Sequence, residues 1–269
     1  MLMKNNNDKK INTPTIGKAE LVRYTQNPEE VVALAAKLCY SENSIDELSE
    51  KISSNDQSKF IGILKKMGHL STFEHASFTF SITGVSRALL AQITRHRIAS
   101  FSVRSQRYVS EGSFKYIIPP SIIALGKAEE KRFKGHMDKI AEWYTYWQNK
   151  LGNRGESSNE DARFVLPNAC ETNMLVTMNA RELLHFFELR CCFRAQWEIR
   201  DIAWQMLFAV LRVAPNLFGG AGPTCANGKC SEGPKSCGRK IDVLNKIKEI
   251  TGEVAQPLLD DIMKEIDGK

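Results

Sequence analysis

No stretch of this 269-residue sequence approaches the roughly 20 uninterrupted apolar residues of a membrane span, so we do not expect a membrane protein. Residues 1–18 are rich in Asn and Lys and contain no apolar core segment, which argues against a secretory signal. Glycine (17) and proline (9) are at ordinary levels and no internal repeat occurs, which excludes fibrous and repeat classes. With 42% hydrophobic and 25% charged residues, the composition predicts a globular protein.

The motifs of the common nucleotide and metal sites are also missing. No G-x-G-x-x-G follows a predicted strand, and neither G-x4-G-K-[ST] nor a G-x-S-x-G elbow occurs. Any nucleotide-like ligand therefore needs another architecture. The chain contains only 5 histidines, and His69, Glu74, His75 and His96 lack the H-E-x-x-H spacing, so no catalytic metal is predicted.

Acidic residues are absent from residues 75–110, where every basic residue is an arginine: Arg87, Arg95, Arg97, Arg104 and Arg107. The net charge of +6 is concentrated there, in residues 1–18 and in residues 219–240, on a mildly acidic body. Because a guanidinium fork suits phosphate or an imide edge, this cluster favours a phosphorylated small ligand. The alternative is a nucleic-acid-binding module, but aromatic residues are not interleaved with the arginines as on a stacking platform.

Seven cysteines, an odd number without a secretory context, favour a reducing cytoplasm. Four lie in apolar surroundings and are predicted to be small core residues: Cys39, Cys170, Cys191 and Cys192. Cys225, Cys230 and Cys237 instead lie in a Gly/Pro-rich stretch with the spacing C-x4-C-x6-C. No fourth nearby ligand completes a zinc tetrahedron, so an unligated loop is favoured, with a soft-metal site or a disulfide left open.

Hydrophobic periodicity predicts one helix-rich α/β-mixed (α+β) domain with a central sheet and flanking helices. The predicted strands are 19–24, 77–83 and 174–178. The predicted helices are 28–39, 44–67, one capped by Ser86 that runs to Arg95, 126–150, 159–168, one capped by Asn179, 196–213, and 241–266 with an interruption at Pro257. Glu182 stands in the capping-box position after Asn179. The long helix is predicted to face inward with Met137, Ile140, Trp143 and Tyr144.

The densest polar segment is Arg95-His96-Arg97, followed seven residues later by Ser105-Gln106-Arg107-Tyr108. This R-H-R-x7-S spacing with R-Y behind it resembles the signature of the flavin-dependent thymidylate synthases, the ThyX family. Further segments follow in family order: Gly68-His69, Phe73-Glu74-His75, Ala162-Arg163 to Pro167, Asn179-Ala-Arg181, Leu189-Arg190 and Ala195 to Ile199. The resemblance covers about residues 19–215. It departs at Val103, a position that is usually polar and whose side chain here accepts no hydrogen bond.

The resemblance implies an enzyme that methylates dUMP to dTMP and releases tetrahydrofolate. It implies FAD as hydride carrier, NADPH as reductant and methylenetetrahydrofolate as one-carbon donor, with no cysteine nucleophile. A homotetramer with active sites shared between subunits is implied, and neither nucleic acid nor membrane is implied as a partner. The implied division is a disordered tail 1–18, a catalytic domain 19–218, a Gly/Cys-rich loop 219–240 and a helical extension 241–269.

Site residues are carried over by position from the family. The implied FAD contacts are Ser77, Arg95, His96, Arg97, Asn179, Arg181 and His185. The implied dUMP contacts are Gln92, Arg95, Ser105, Gln106, Arg107, Arg163 and Arg190, with residues 105–107 supplied by a neighbouring subunit. Arg190 would sit by uracil N3 as the catalytic residue, and His75 would lie close to flavin and folate.

Taken singly, these residues also have simpler structural interpretations. These are a hydrogen-bonded structural histidine (His75), a helix cap (Asn179), a solvated helix face (Arg181, His185) and surface pairing with Glu198 (Arg190, Arg194). Only their joint occurrence in family order favours a functional site.

Overall fold

The structure, a computed structural model, describes residues 17–254. Most of the predicted tail 1–18 and the predicted helix end, with its interruption at Pro257, lie outside the described residues. The α-helices of the described part are Pro28–Leu38 (α1), Ile45–Ser53 (α2), Ser58–Met67 (α3), Arg87–Ile93 (α4), Pro120–Ala124 (α5), Lys127–Lys150 (α6), Glu156–Ala162 (α7), Ala180–Arg190 (α8), Trp197–Leu211 (α9), Pro215–Phe218 (α10) and Lys240–Val254 (α11). None of these helices is both long and apolar enough to cross a membrane.

Four strands form one sheet in the order β1-β2-β4-β3, and they are Lys18–Tyr24 (β1), Ser77–Ser86 (β2), Ala99–Val103 (β3) and Glu171–Asn179 (β4). β1 pairs antiparallel with β2, and β3 pairs antiparallel with β4 in the register Ala99↔Met178 to Val103↔Met174. This sheet and its helices confirm the predicted α+β fold in one domain. Within it, residues group into two compact units: unit one holds 84–90 and 104–173, and unit two holds 17–83, 91–103 and the described residues from 174 onward.

The core of unit two follows the predicted alternation of β2. Phe78, Phe80 and Ile82 are fully buried, whereas the Ser and Thr residues between them are half-buried. Phe218 meets Phe78 edge-to-face at 5.2 Å between ring centroids and meets Phe187 of α8 at 6.0 Å. These aromatic contacts join the sheet to α8 and α10, so they fix the helix that carries the predicted flavin contacts Arg181 and His185.

Unit one has a separate core in which Phe114, Tyr116 and Ile118 pack with Met137 and Cys170. The predicted cap of α4 is confirmed, because the Ser86 hydroxyl accepts a hydrogen bond from the Leu89 amide at 3.1 Å.

The long helix α6 differs from prediction at one of its four inward positions. Tyr144 is fully buried and Met137 nearly so, as predicted, and Ile140 packs against the unit-one core. Trp143 is wrong, because it is 54% exposed. Trp143 immediately precedes the buried Tyr144, and a step of one residue rotates a side chain by about 100° around an α-helix.

The predicted helix 44–67 is two helices. Ser44 caps α2 in a complete capping box with Glu47, and the helix ends at Ser53. Beyond it the Asn55 amide donates to the Lys51 carbonyl at 2.7 Å, and the Asp56 carboxylate accepts from the Ser58 amide at 3.0 Å. These side chains compete with the helical ladder for backbone groups, which explains the break.

The four cysteines predicted to be core residues divide. Cys170 and Cys191 are buried, as predicted. Cys39 is exposed at the C-terminal cap of α1, so that prediction is wrong, and Cys192 is only partly buried. Burial raises the pKa of the Cys170 thiol to about 12, so this cysteine is neutral and unreactive at physiological pH.

Candidate active site

A cavity of about 670 Å³ lies within unit two. Its wall combines four segments: the R-H-R tripeptide, α8, the turn that follows α8 and a part of the Gly-rich segment after α10. The lining residues include Arg95, His96, Arg97, Glu182, His185, Arg190, Cys192, Arg194, Cys225, Cys230 and Glu232. Five residues that the resemblance assigns to flavin or dUMP are thereby brought together: Arg95, His96, Arg97, His185 and Arg190.

A hydrogen-bonded row of three side chains forms the base of this wall. The Glu182 carboxylate lies 2.9 Å from His96 Nδ1, and Arg190 Nε donates to His96 Nε2 at 3.1 Å. Both partners of the first contact are nearly buried, with 3% and 9% of the His96 and Glu182 side chains exposed. His96 also packs edge-to-face on Phe186 at 4.9 Å, which holds its ring plane.

The two contacts fix the tautomer of His96. Arg190 Nε carries a hydrogen and can only donate, so His96 Nε2 must accept, and Nδ1 must carry the proton that is donated to Glu182. Burial lowers the pKa of His96, and the Arg190 charge lowers it further, against the raising effect of Glu182. The imidazole is therefore neutral at physiological pH, as the hydrogen bonds require. His96 thus orients the Arg190 guanidinium.

Glu182 was predicted to complete a capping box with Asn179, and this half of the prediction is wrong. The Asn179 side chain does accept from the Glu182 amide at 2.9 Å, so the cap itself is confirmed. The Glu182 carboxylate, however, bonds His96 instead of returning to the Asn179 amide. Glu182 is therefore both the residue that the sequence pattern assigns to the helix cap and the buried partner of His96.

Removing the Glu182 carboxylate should destabilise the fold. In Glu182→Ala the buried His96 Nδ1–H loses its acceptor, so we expect the free energy of unfolding to fall by about 1–3 kcal/mol in urea titrations. Glu182→Gln keeps an oxygen acceptor and should recover much of this loss. The control is Glu188→Ala, at an exposed position of the same helix, with an expected change within about 0.5 kcal/mol. Equal stability of E182A and E188A would contradict the proposed role of the buried contact.

Arg190 and the R-H-R arginines place positive charge on one part of the cavity wall. Arg95 and Arg97 are exposed, and Arg190 is partly buried at the end of α8. Burial lowers the pKa of Arg190, and the nearby Arg95 charge lowers it further, yet an arginine stays protonated at neutral pH. Like charges held this close favour an anionic ligand between them.

A second group of predicted residues lies around the turn before β2 and the start of α8. The Ala180 amide donates to the Ala76 carbonyl at 2.8 Å. Arg181 Nη1 pairs with Glu74 Oε1 at 2.6 Å. These contacts bring together the chain segments that carry His75, Ser77, Asn179 and Arg181, and residues Leu70–His75 form a 3₁₀ helix. Arg181 and His185 lie on the exposed face of α8, as their spacing predicts. Gln92 is half-buried on α4, one turn before Arg95.

The remaining predicted dUMP residues belong to unit one, and two of them, Arg107 and Arg163, contact α7. Arg107 pairs with Glu156 at 2.7 Å and with Glu160 at 2.9 Å. Arg163 Nε donates to the Glu160 carbonyl at 3.1 Å. The Ser105 hydroxyl accepts from the Arg107 amide at 3.1 Å, and Gln106 contacts Cys170.

The arginine cluster that lacks acids in its own segment therefore finds them elsewhere in unit one. Besides the two α7 carboxylates, the buried Glu111 has its pKa raised by burial and lowered by Arg104 and Arg87. Arg87 in turn donates to the Arg104 carbonyl at 2.8 Å. Of the five arginines in the segment without acids, Arg95 and Arg97 line the cavity of unit two. The other three, Arg87, Arg104 and Arg107, lie in unit one near the partners just described.

Sequence reasoning missed one wall of the cavity. Cys225, Cys230 and Glu232 come from the segment that was placed outside the shared pattern, and Cys192 and Arg194 come from the turn after α8. Arg194 pairs with Glu232 at 3.7 Å and donates to the Lys235 carbonyl at 2.5 Å. No local pattern announces such a contact between segments about 40 residues apart.

The α+β fold and the arginine side chains on the cavity wall suit a protein that binds an anionic small molecule. The family model described as "Thymidylate synthase complementing protein" matches residues 20–216, and the chain belongs to this family.

Relatives of known name support this assignment. A "Flavin-dependent thymidylate synthase" of Clostridium tetani is 47% identical over 84% of this chain and 95% of its own length. A protein of the same name from Geobacter sulfurreducens is 49% identical over 87% of this chain and 99% of its own length. Another, from Pyrococcus furiosus, is 44% identical over 70% of this chain and 76% of its own length. The predicted family resemblance is thereby confirmed.

Proposed function

We propose that this chain is a flavin-dependent thymidylate synthase that converts dUMP to dTMP with methylenetetrahydrofolate, FAD and NADPH, releasing tetrahydrofolate. The observation that carries the proposal is the row Glu182–His96–Arg190 in a cavity also lined by Arg95 and Arg97. A fixed guanidinium in a cationic cavity suits a phosphorylated pyrimidine whose ring must accept negative charge. The family match and the names of the relatives point to the same chemistry.

The residues present fit FAD. Its diphosphate needs cations, and the exposed Arg95, Arg97 and Arg181 supply them together with His185. The residues that would hold FAD are Ser77, Arg95, His96, Arg97, Asn179, Arg181 and His185. His75 would lie near flavin and folate. When bound, FAD supplies the hydride that completes the methyl group. His96, whose two ring nitrogens are both engaged, acts there by ring contact and by positioning Arg190.

Arg190 is the proposed catalytic residue. Its Nε is occupied by His96, so the guanidinium is anchored while its two Nη groups can donate to the N3 and carbonyl edge of uracil. A cation there stabilises the negative charge that develops when C5 becomes nucleophilic. No cysteine attack on the ring is needed, which agrees with the raised pKa values of Cys170 and Cys191.

We propose a homotetramer in which a neighbouring subunit supplies Ser105, Gln106 and Arg107 to the dUMP site, with Gln92, Arg163 and Arg190. The surface of α6 supports an oligomer, because Trp143, Tyr146 and Trp147 are each about half exposed. Exposed aromatic clusters of this kind mark protein interfaces. Light scattering should therefore give a mass well above the 30.3 kDa chain.

NADPH as reductant and a cytoplasmic location are also proposed from the family, and the seven free cysteines support a reducing compartment. We also propose a catalytic region 19–218 followed by the segments 219–240 and 241–269, of which 219–240 contributes to the cavity wall.

The decisive experiment measures tritium release from 5-tritiated dUMP by the purified full chain. We expect a yellow protein that takes up FAD and releases tritium only when methylenetetrahydrofolate and a reduced nicotinamide are both present. Omission of folate is the matched control. A protein that binds neither FAD nor dUMP would rule out the proposal, and tritium release with NADH alone would correct the reductant.

A further inference from the structure

Four of the seven cysteines line a second cavity in unit two, of about 380 Å³. They are Cys192 from the turn after α8 and Cys225, Cys230 and Cys237 from the Gly-rich segment. No fourth ligand lies near the C-x4-C-x6-C spacing in the sequence. The fold supplies one, because Cys192 lies over 30 positions earlier in the chain and lines the same cavity. Four thiols around one small cavity are the number that a tetrahedral thiolate site requires.

The segment that carries three of these cysteines has little else to hold it. Between α10 and α11 it contains only two short 3₁₀ turns, Thr224–Ala226 and Gly233–Lys235. Pro223, Cys225 and Ala226 are buried, but every residue from 231 to 239 is exposed. A stretch with so little apolar burial needs a cross-link to keep one conformation.

Contacts of the two residues after Cys192 bring the turn after α8 to this segment. The Arg239 guanidinium lies 3.8 Å from the ring centroid of Phe193, the residue after Cys192. Arg194 donates to the Lys235 carbonyl at 2.5 Å. The position of Cys192 beside the other three cysteines is therefore a built feature of the fold.

Glycines follow the cysteines closely. Gly228 and Gly233 come three residues after Cys225 and Cys230, and Gly238 comes directly after Cys237. Gly233 (φ 51°) and Gly238 (φ 70°) adopt the left-handed conformation, which lets the chain turn back sharply after a cysteine. A chain that wraps around a central ion needs such reversals.

The charges around the cavity suit a site with excess thiolate charge. A divalent cation with four thiolates has a net charge of about −2, which needs compensation in a poorly solvated loop. Arg194, Lys229, Arg239 and Lys240 line the same cavity. Lys229, Arg239 and Lys240 belong to residues 219–240, so the net positive charge of this segment would balance the charge of the thiolates.

We propose that Cys192, Cys225, Cys230 and Cys237 bind one structural Zn²⁺ as a tetrathiolate site. Among residues 17–254 no group of three or more candidate ligands has metal-binding geometry. Zinc binding therefore requires the four sulfurs to move to about 2.3 Å from the metal and to release their protons. A disulfide would engage only two of the four thiols. Cys192, Cys225 and Cys230 also line the larger cavity, so the metal would fix one wall of it.

The first test is the metal content of the full chain purified under reducing conditions without chelator. We expect about one zinc per chain by mass spectrometry, and a Co²⁺-substituted protein with the strong charge-transfer and d–d bands of tetrahedral thiolate coordination. Cys225→Ser and Cys230→Ser should each reduce the zinc content to near zero. Cys39→Ser, at an exposed position in α1, is the matched control and should retain it.

Each other outcome overturns the proposal. A reduced protein that takes up no zinc from a small excess, or a weakly absorbing octahedral cobalt complex, rules out the site. A thiol count of five instead of seven after denaturation without reductant would reveal a disulfide instead. These measurements use no flavin, folate or dUMP, so their failure leaves the proposed enzyme function standing, and failure of that function leaves the zinc site standing.

Zinc should also order the segment. We expect hydrogen exchange of the amides in 219–239 to slow on zinc binding, with little change in β2 or α9. Should exchange stay equally fast with zinc bound, the metal would not be structural.

Discussion

Arg190→Ala is expected to lower the turnover of dUMP by about 100- to 1,000-fold, the usual effect of removing one charge-stabilising group from an active site. Arg190 is partly buried at the end of α8 and is anchored through Nε to His96. The substitution removes the cation proposed to stabilise the uracil ring, but it leaves the sheet and the aromatic core untouched. The loss should therefore exceed any loss of stability, which we expect to stay below about 2 kcal/mol.

Two further variants make this result specific. Arg212→Ala changes an exposed arginine at the end of α9, outside the cavity, and should retain near-normal turnover. Arg190→Lys keeps the charge but has no Nε–H group to meet His96, so it should recover little activity. Near-normal tritium release by R190A, with folding intact by circular dichroism, would show that the catalytic assignment is wrong.

The contribution of Lys65 to the stability of the protein is expected to rise between about pH 8 and pH 10.5, the second large effect. The Lys65 ammonium donates to the carbonyls of Gly219 and Asn216, at 3.3 Å for the latter, in a site that excludes most water. Burial lowers the pKa of Lys65 from 10.5 to about 8, against the raising effect of Glu29. Between those values Lys65 is protonated more in the unfolded chain than in the folded chain, so its contribution to the free energy of unfolding increases with pH by up to about 3 kcal/mol.

Urea titrations across that range, compared between variants, isolate this contribution. In Lys65→Met the rise attributable to this group should vanish. Lys66→Met is the matched control, since Lys66 is the exposed neighbour on the same helix, and it should follow the unmodified protein. Parallel pH profiles for K65M and the unmodified protein would mean that Lys65 titrates normally in the folded state.

The parts of the fold that sequence predicts well are those with a local signature. The alternation of Phe78, Phe80 and Ile82 predicts β2, and the Asn179 side chain predicts the start of α8, since each pattern acts within a few residues. The break between α2 and α3 was missed because apolar periodicity reports burial. It does not report the side-chain hydrogen bonds of Asn55 and Asp56 that end the helical ladder.

The site, like the fold, was predictable where its signal is local. The R-H-R motif identifies Arg95, His96 and Arg97 as site residues, and the three line one cavity, as the resemblance implies. The partner of His96 was not predictable, because Glu182 lies 86 positions away and its local pattern indicates a different contact. Long-range pairings of this kind depend on how α8 packs, and neither spacing nor composition records that.

The burial of His96 has a consequence for behaviour in acid. A solvated histidine gives up its lone pair to a proton near pH 6.5, but desolvation lowers the pKa of His96, so the acceptor that holds Arg190 persists to more acidic conditions. The unfolded chain has no such protection and takes up the proton first, so the free energy of unfolding falls as the pH drops through about 6.5. The burial of His96 therefore makes the protein less stable in acid, and it keeps the Arg190 guanidinium in place over a wider range of pH.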